Sequence, residues 1–286
     1  MLTTRSQRWR ERRSLFVDDT TLIDPRDYAV DVVPHDQARA FIAQHHYLSR
    51  YPAAQLAVGL FGPGAGGRST LAGVIVFGVP ATGAVITRHT GYADPARGCV
   101  LQRLLCLPCV AANGESFFAS RAFRLLHCEK PTIEAVVSFS DPQFGHCGTV
   151  YAALSGAYRG RTRARSVLRI AGETISDRTL SKIRNGESGV GGAIDQLVRL
   201  GAPRLRPGQA PREWLDACRT SGLLSPHRQS PLFAYCFELT RDARRQGKAL
   251  PRFTYPRFRD VVREQTTAGG WAVAARSPPT KTGPEP

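Results

Sequence analysis

At 286 residues and 42% hydrophobic content, the chain is long enough for one large domain, or one domain with extensions, around a buried core. A formal charge of +16, from 39 Lys and Arg against 23 Asp and Glu, predicts attraction to polyanions, nucleic acid before a membrane surface. No apolar run suits a bilayer, no secretory signal follows Met1, and seven cysteines in such a chain read as reduced thiols, so the expected compartment is the cytoplasm.

Residues 1–26 read as a basic arm carrying Arg5, Arg8, Arg10, Arg12 and Arg13. YAVDVV (28–33) is a short strand. Residues 35–46 form a helix, with Ala38, Phe41 and Ile42 at helical spacing. QLAVGLFG (55–62) and LAGVIVFG (71–78) are two apolar strands, joined as a hairpin by the Gly-rich loop between them. That loop lacks the Lys-Ser/Thr of a phosphate-binding loop. CVLQRLLCL (99–107) is a further strand. Asn113 then caps a helix from Gly114 to about Cys128, with Phe118, Ala122, Leu125 and Leu126 on one face. IEAVVSFS (133–140) is a buried strand. A helix over 148–157, a strand at 167–172, a helix near 211–219 and a strand at 231–239 complete the core. Residues 261–286 are Pro-rich and polar, and read as a disordered tail. The expected fold class is α+β, a mixed and mostly antiparallel sheet flanked by helices, with basic extensions. The main domain is expected over 27–260, with 173–230 as an insertion or extension within it.

Several polar residues stand out, each with two readings. His46 closes its helix; histidine there serves as a base or metal ligand, or only satisfies the last carbonyls. Arg103 lies in an apolar strand, so it pairs with a carboxylate such as Asp141 or meets a ligand phosphate. Asp141 ends a strand before Pro142, where it starts a turn or takes a proton. Cys106-Leu107-Pro108-Cys109 is a single CxxC, and one such pair falls short of a zinc site. Arg159, Arg161, Arg163 and Arg165 alternate in sequence. In one extended strand they share a face and can track a DNA backbone; the alternative is pairing with Glu173 and Asp177. The segment 241–259 repeats the basic theme, with Phe253 and Tyr255 interleaved.

The element order is that of the GNAT acyltransferases, in which the fourth and fifth strands part and acyl-CoA lies between them. Four segments together resemble the Mom family, a phage-type GNAT-like group. They are His45-His46-Tyr47-Leu48-Ser49, Leu101-Gln102-Arg103, Asn113-Gly114-Glu115-Ser116, and Val137-Ser138-Phe139-Ser140-Asp141 continued by Gly148-Thr149-Val150-Tyr151. Gln102 where the family has an acid, the inserted Leu48 and the long 173–230 region depart from the pattern. The resemblance implies an enzyme that modifies adenine in double-stranded DNA to an N6-acetamido (methylcarbamoyl) form and shields phage DNA from restriction in the bacterial host. It implies acetyl-CoA as the source of the group, with Arg103, Asn113 and Ser116 on the donor side. His46, Tyr47, Asp141 and Tyr151 become the catalytic candidates, Tyr151 as the proton donor to the leaving thiolate. Iron is the metal it implies, with His46, Tyr47 and Asp141 as the matching ligands. The plainer readings are a core tyrosine at Tyr151 and simple helix capping at Ser116. The turn 109–114 has one glycine, a poor diphosphate cradle. Two rival functions remain: a conventional GNAT N-acetyltransferase on a protein or small amine, and a non-catalytic DNA-binding protein of this fold.

Overall fold

The computed structural model describes residues 21–262 apart from Tyr47, Ser49, residues 65–67 and Phe258. The arm up to residue 20 and the tail from residue 263 lie outside the described residues. In chain order come β1 (Ala29–Val32), α1 (His35–His45), β2 (Ala54–Pro63), β3 (Ser69–Gly78), α2 (Ala84–Thr90) and β4 (Gly98–Cys106). Then follow α3 (Gly114–Glu129), β5 (Ala135–Ser140), α4 (Thr149–Ala153) and β6 (Ala157–Arg161). An inserted run holds β7 (Arg165–Ile170), β8 (Glu173–Ile175), α5 (Asp177–Asn185), α6 (Val190–Arg199), α7 (Pro211–Thr220) and β9 (Ser225–Gln229). The chain returns through β10 (Phe233–Glu238) and α8 (Arg241–Gly247).

Seven strands form one sheet in the order β1-β2-β3-β4-β5-β10-β6. Within it β4 and β5 run parallel, and the other neighbours pair antiparallel. The mixed α+β architecture follows from alternation along the hairpin. Ala57, Val74 and Val76 point to one face and pack with Ala38, Phe41 and Ile42 of α1. Leu56, Val58, Leu60, Ile75 and Phe77 point to the other and meet Phe118, Ala119, Ala122, Phe123 and Leu126 of α3. Those five α3 positions repeat every three or four residues, so one side of the helix is buried for its whole length. Each large side chain so buried contributes about 1.5–3 kcal/mol. Among the described residues no helix is long and apolar enough to cross a membrane.

Two elements differ from the sequence expectation. The strand at 167–172 belongs to a second sheet, ordered β8-β7-β9, and not to the main one. Its core is separate: Ile170, Ile175, Leu180, Ile183, Leu197, Trp214 and Leu215 pack together, with Trp214 Nε1 donating to Pro203 O at 3.0 Å. The helix expected over 148–157 stops at Ala153. Ser155 turns left-handed (φ 58°), and a Cβ on Gly156 would lie 2.6 Å from the Phe237 ring, so the chain must leave the helix there.

Candidate active site

The parallel ladder between β4 and β5 lasts four residues, Gly98–Leu101 against Ala135–Ser138. Beyond Leu101 the β4–β5 ladder ends, while β4 goes on pairing with β3 and β5 with β10 through Ser140. The strands therefore part, and a cavity of about 520 Å³ fills the gap. Its walls are residues 101–108 on one side and Phe139, Ser140 and Tyr151 on the other. Gln44, His45 and His46 from the end of α1, Glu115, Phe144, His146 and residues 148–150 complete the lining. Four sequence segments quoted above thus meet at one place.

Tyr151 stands at the point of divergence. Its ring packs on Tyr235 (5.2 Å between centroids) and edge-on to Phe237 (5.7 Å). Burial pushes its phenol pKa up, and a hydrogen bond with Ser138 partly offsets this. Ser138 in turn donates to Leu101 O at 3.4 Å, across the last rung of the ladder. A protonated phenol is thereby held where the strands separate. Ser140 is buried in the same wall. Burial pushes the pKa of the nearby Tyr235 hydroxyl up, and that hydroxyl gives its hydrogen to Cys147 O at 2.7 Å.

Arg103 lines the gap with its guanidinium held by two carbonyls, Gln102 O at 2.8 Å and Arg50 O at 2.9 Å. His46 caps α1 through its amide, which donates to Ile42 O at 3.0 Å. Its Nδ1 accepts from the Leu48 amide at 2.9 Å, which puts the ring proton on Nε2. Asp141 is absent from the lining, although Ser140, Phe144 and His146 beside it contribute. Its carboxylate accepts from the Gln143 amide at 2.9 Å and starts the short 3-10 turn Pro142–Phe144. Burial raises its pKa above the usual carboxylate range, with the Gln143 bond opposing. Asn113 and Ser116 also lie off the lining. Asn113 is left-handed at the helix start (φ 66°) and makes no side-chain cap, contrary to the capping expected of it. Ser116 Oγ donates back to Asn113 O at 2.9 Å. Tyr47 lies outside the described residues. Phe139, Phe144 and Glu115 were not singled out as site residues. For Phe139 and Glu115 the signal was their position inside the quoted segments, and for Phe144 its place between two of them, but a single aromatic or acid there reads equally well as packing or capping.

The donor end of the gap gives little to a diphosphate. The amides of Val110, Ala112 and Gly114 already donate to Leu107, Thr21 and Ala111 carbonyls, at 3.1, 2.9 and 3.1 Å. The lone glycine of the turn serves packing, since a Cβ on Gly114 would lie 2.2 Å from Val110 Cγ1. The parted strands themselves suit a narrow extended arm. Of the three residues that the resemblance offers to iron, His46 accepts from the Leu48 amide on Nδ1 and Asp141 is not among the lining residues. Among the described residues no group of three or more His, Cys, Asp and Glu could hold a metal. Tyr47, the third of these residues, lies outside the described residues, and no step below passes through a metal.

The arginine run corrects a sequence expectation. Its four members do not share one extended face. Gly160 is left-handed (φ 89°), and the β6–β10 register slips between Tyr158–Tyr235 and Arg161–Phe233, a bulge of one residue. Arg159 lies before the slip and keeps the face of Ala157, towards α2 and α8, where it is buried; the slip puts Arg161 on the other face, over Phe233. Its Nη2 pairs with Glu238 Oε1 at 2.8 Å, and its remaining donors reach the carbonyls of His89, Gly247, Leu250 and Pro251. It is a structural residue and not a phosphate contact. Arg161, Arg163 and Arg165 are exposed. Arg161 lies over the Phe233 ring at 5.6 Å, and Arg165 sits 3.6 Å from Asp177. All seven cysteines are free thiols; burial pushes Cys99 and Cys236 up to about 12, so both are inert core residues.

The family model described as the Mom protein family matches residues 27–201, from β1 through α6. The match includes every residue that lines the gap. No curated protein matches the chain.

Proposed function

The chain belongs to the Mom protein family, and from that premise we propose that it converts adenine in double-stranded DNA to N6-acetamido (methylcarbamoyl) adenine, protecting phage DNA from host restriction. DNA modification in phages is the family's work; the product, the acetyl-CoA origin of the group and the roles below are the finer reading. The observation that carries it is a family match that takes in the whole lining of the gap.

In this reading the stretch of β4 that lines the gap, Gln102–Cys106, receives the pantetheine arm, and Arg103 stands beside it. Acetyl-CoA, when bound, would supply the two carbons of the acetamido group; an ammonia-level nitrogen donor would displace the thiolate to give the amide, and a two-electron oxidant would be needed to join the methyl carbon to N6. The raised pKa of Tyr151 keeps its phenol protonated, ready to give that proton to a departing thiolate. Asp141, with its pKa raised by burial, is suited to take a proton from the exocyclic amine of adenine. Phe139 and Phe144 offer apolar faces to a base extruded from the duplex. Arg161, Arg163 and Arg165 hold backbone phosphates outside the gap. Bond formation to N6 in this product is not ordinary acetyl transfer, and His46 remains a candidate whose ring proton on Nε2 makes it a donor.

A conventional GNAT N-acetyltransferase shares the parted strands and the tyrosine, but it has no use for a charge of +16. The test is expression in a bacterium followed by mass analysis of plasmid nucleosides. A fraction of the deoxyadenosine should carry the added mass. Unmodified nucleosides from cells holding folded protein would overturn the proposal.

A further inference from the structure

A second cavity, of about 720 Å³, opens at the opposite end of the sheet. Glu238 on its wall pairs with Ala135 at the start of β5, whereas the catalytic gap begins past Ser138. Phe123, Leu154, Phe237 and Leu239 give it an apolar floor. Arg244 and Lys248, one turn apart at the end of α8, stand over that floor with Arg252 from the segment that follows.

The charges here do not cancel. Glu238 is the cavity's acid, and both its oxygens are engaged, Oε1 with Arg159 at 2.8 Å and Oε2 with Arg252 at 3.1 Å. Asp242, the nearest acid on α8, is turned to Arg97 at 2.8 Å. Arg244 and Lys248 form no ion pair among the described residues, and like charges at this spacing repel. The helix C-terminus favours cations there, and with both oxygens of Glu238 taken by Arg159 and Arg252 the charges of Arg244 and Lys248 stay uncompensated beside apolar carbon. An anion with a flat apolar part answers both features, and the volume lies within the range of small-ligand sites.

We propose that this cavity binds a nucleotide, with its phosphate between Arg244 and Lys248 and its base on the Phe123–Phe237 floor. The nucleotide can belong to a DNA strand or be a free mononucleotide; the first source rests on the DNA-modifying function, the second does not. Phe237 packs edge-on to Tyr151 at 5.7 Å, so the cavity and the catalytic gap share a wall. A strand seated here gains a second anchor one wall away from the chemistry.

Calorimetric titration of the full chain with dTMP tests this, because a pyrimidine nucleotide does not report on an adenine site. The expected result is binding of dTMP, at least tenfold weaker binding of thymidine, and at least a tenfold loss for the Arg244→Gln/Lys248→Gln double variant. Both side chains are exposed, so the variant should melt as the parent does; the charge-retaining pair Arg244→Lys/Lys248→Arg should keep most of the affinity. No binding of dTMP, equal binding of thymidine, or equal binding to the glutamine variant would overturn the site. Displacement of dTMP by a short duplex assigns the site to DNA, and retention of dTMP beside bound duplex assigns it to a free nucleotide. Plasmid nucleoside analysis reads the catalytic proposal separately, since a cavity that binds dTMP stands even where no adenine is modified.

Discussion

Replacing Arg159 by alanine separates a structural arginine from its DNA-facing neighbours. Its side chain is 3% exposed and that of Glu238 10%, so the pair is dry. The guanidinium also ties together three pieces of chain. Nε donates to His89 O at the end of α2 (3.1 Å), Nη2 to Gly247 O at the end of α8 (3.1 Å), and Nη1 to Leu250 O and Pro251 O (3.2 Å each). Removing one partner of such a pair costs about 3–5 kcal/mol. Glu238 keeps Arg252 on its second oxygen, and water can enter the space left behind, so the lower part of that range applies, about 3 kcal/mol. Urea denaturation should show the midpoint falling at an unchanged slope, and the melting temperature should drop by about 6–12 °C. Arg163→Ala, on the exposed part of the run, should stay within about 0.5 kcal/mol of the parent. Were Arg159→Ala as stable as Arg163→Ala and weaker on DNA, the inward placement argued here would be wrong.

Four further outcomes follow from the same geometry. Replacing Arg161, Arg163 and Arg165 together by alanine should weaken binding to any duplex and flatten the log affinity against log salt plot by about 2–3 units, whereas an unchanged slope means these side chains face no phosphates. Tyr151→Phe, which keeps the ring packing, should fold normally and lower adenine modification by about 10²–10⁴-fold; near-parental activity would leave the phenol a core group. Asp141→Asn retains an acceptor for the Gln143 amide, so it should lose modification with little change in stability, while Asp141→Ala should lose a further 0.5–2 kcal/mol, roughly the worth of a cap. His89 is held at about 4 by burial, with Arg88 and Arg159 adding repulsion; its unfolded pKa is higher, so the stability it contributes is full above about pH 6.5 and is lost as pH falls towards 4, by up to about 3 kcal/mol. Denaturation midpoints across that window should show a decline that His89→Gln flattens, and a parallel decline in both proteins would assign it to other groups.

Much of the sheet could be read from the chain because the physics there is local. Alternation along 55–62 and 71–78 sorts side chains to two faces, and the α3 stripe declares one buried side, with no knowledge of what lies opposite. What could not be read depended on distant partners. The apolar run Val167-Leu168-Arg169-Ile170 is a strand in either sheet; it joins the second because β8 and β9 pair with it. The helices α2 and α8 are seven residues each, too short for a periodic signal. For the site, the quoted segments delivered His46, Arg103 and Tyr151 to one gap, but Asp141, Asn113 and Ser116 do not line it, and the side chains of Asp141 and Ser116 are engaged by local turns. The arginine run shows why spacing alone misleads. Strict alternation puts Arg159 and Arg161 on one face only while the strand has no bulge, and a glycine at position 160 can adopt the left-handed conformation that inserts one. Arg159, on the Ala157 face ahead of the slip, is the buried cation that Glu238 requires, and with Arg252 on the other oxygen of Glu238 the cavity beside α8 keeps an uncompensated positive charge. The slip at Gly160 then sends Arg161 to the opposite face from Arg159, a change of side that sequence periodicity cannot show.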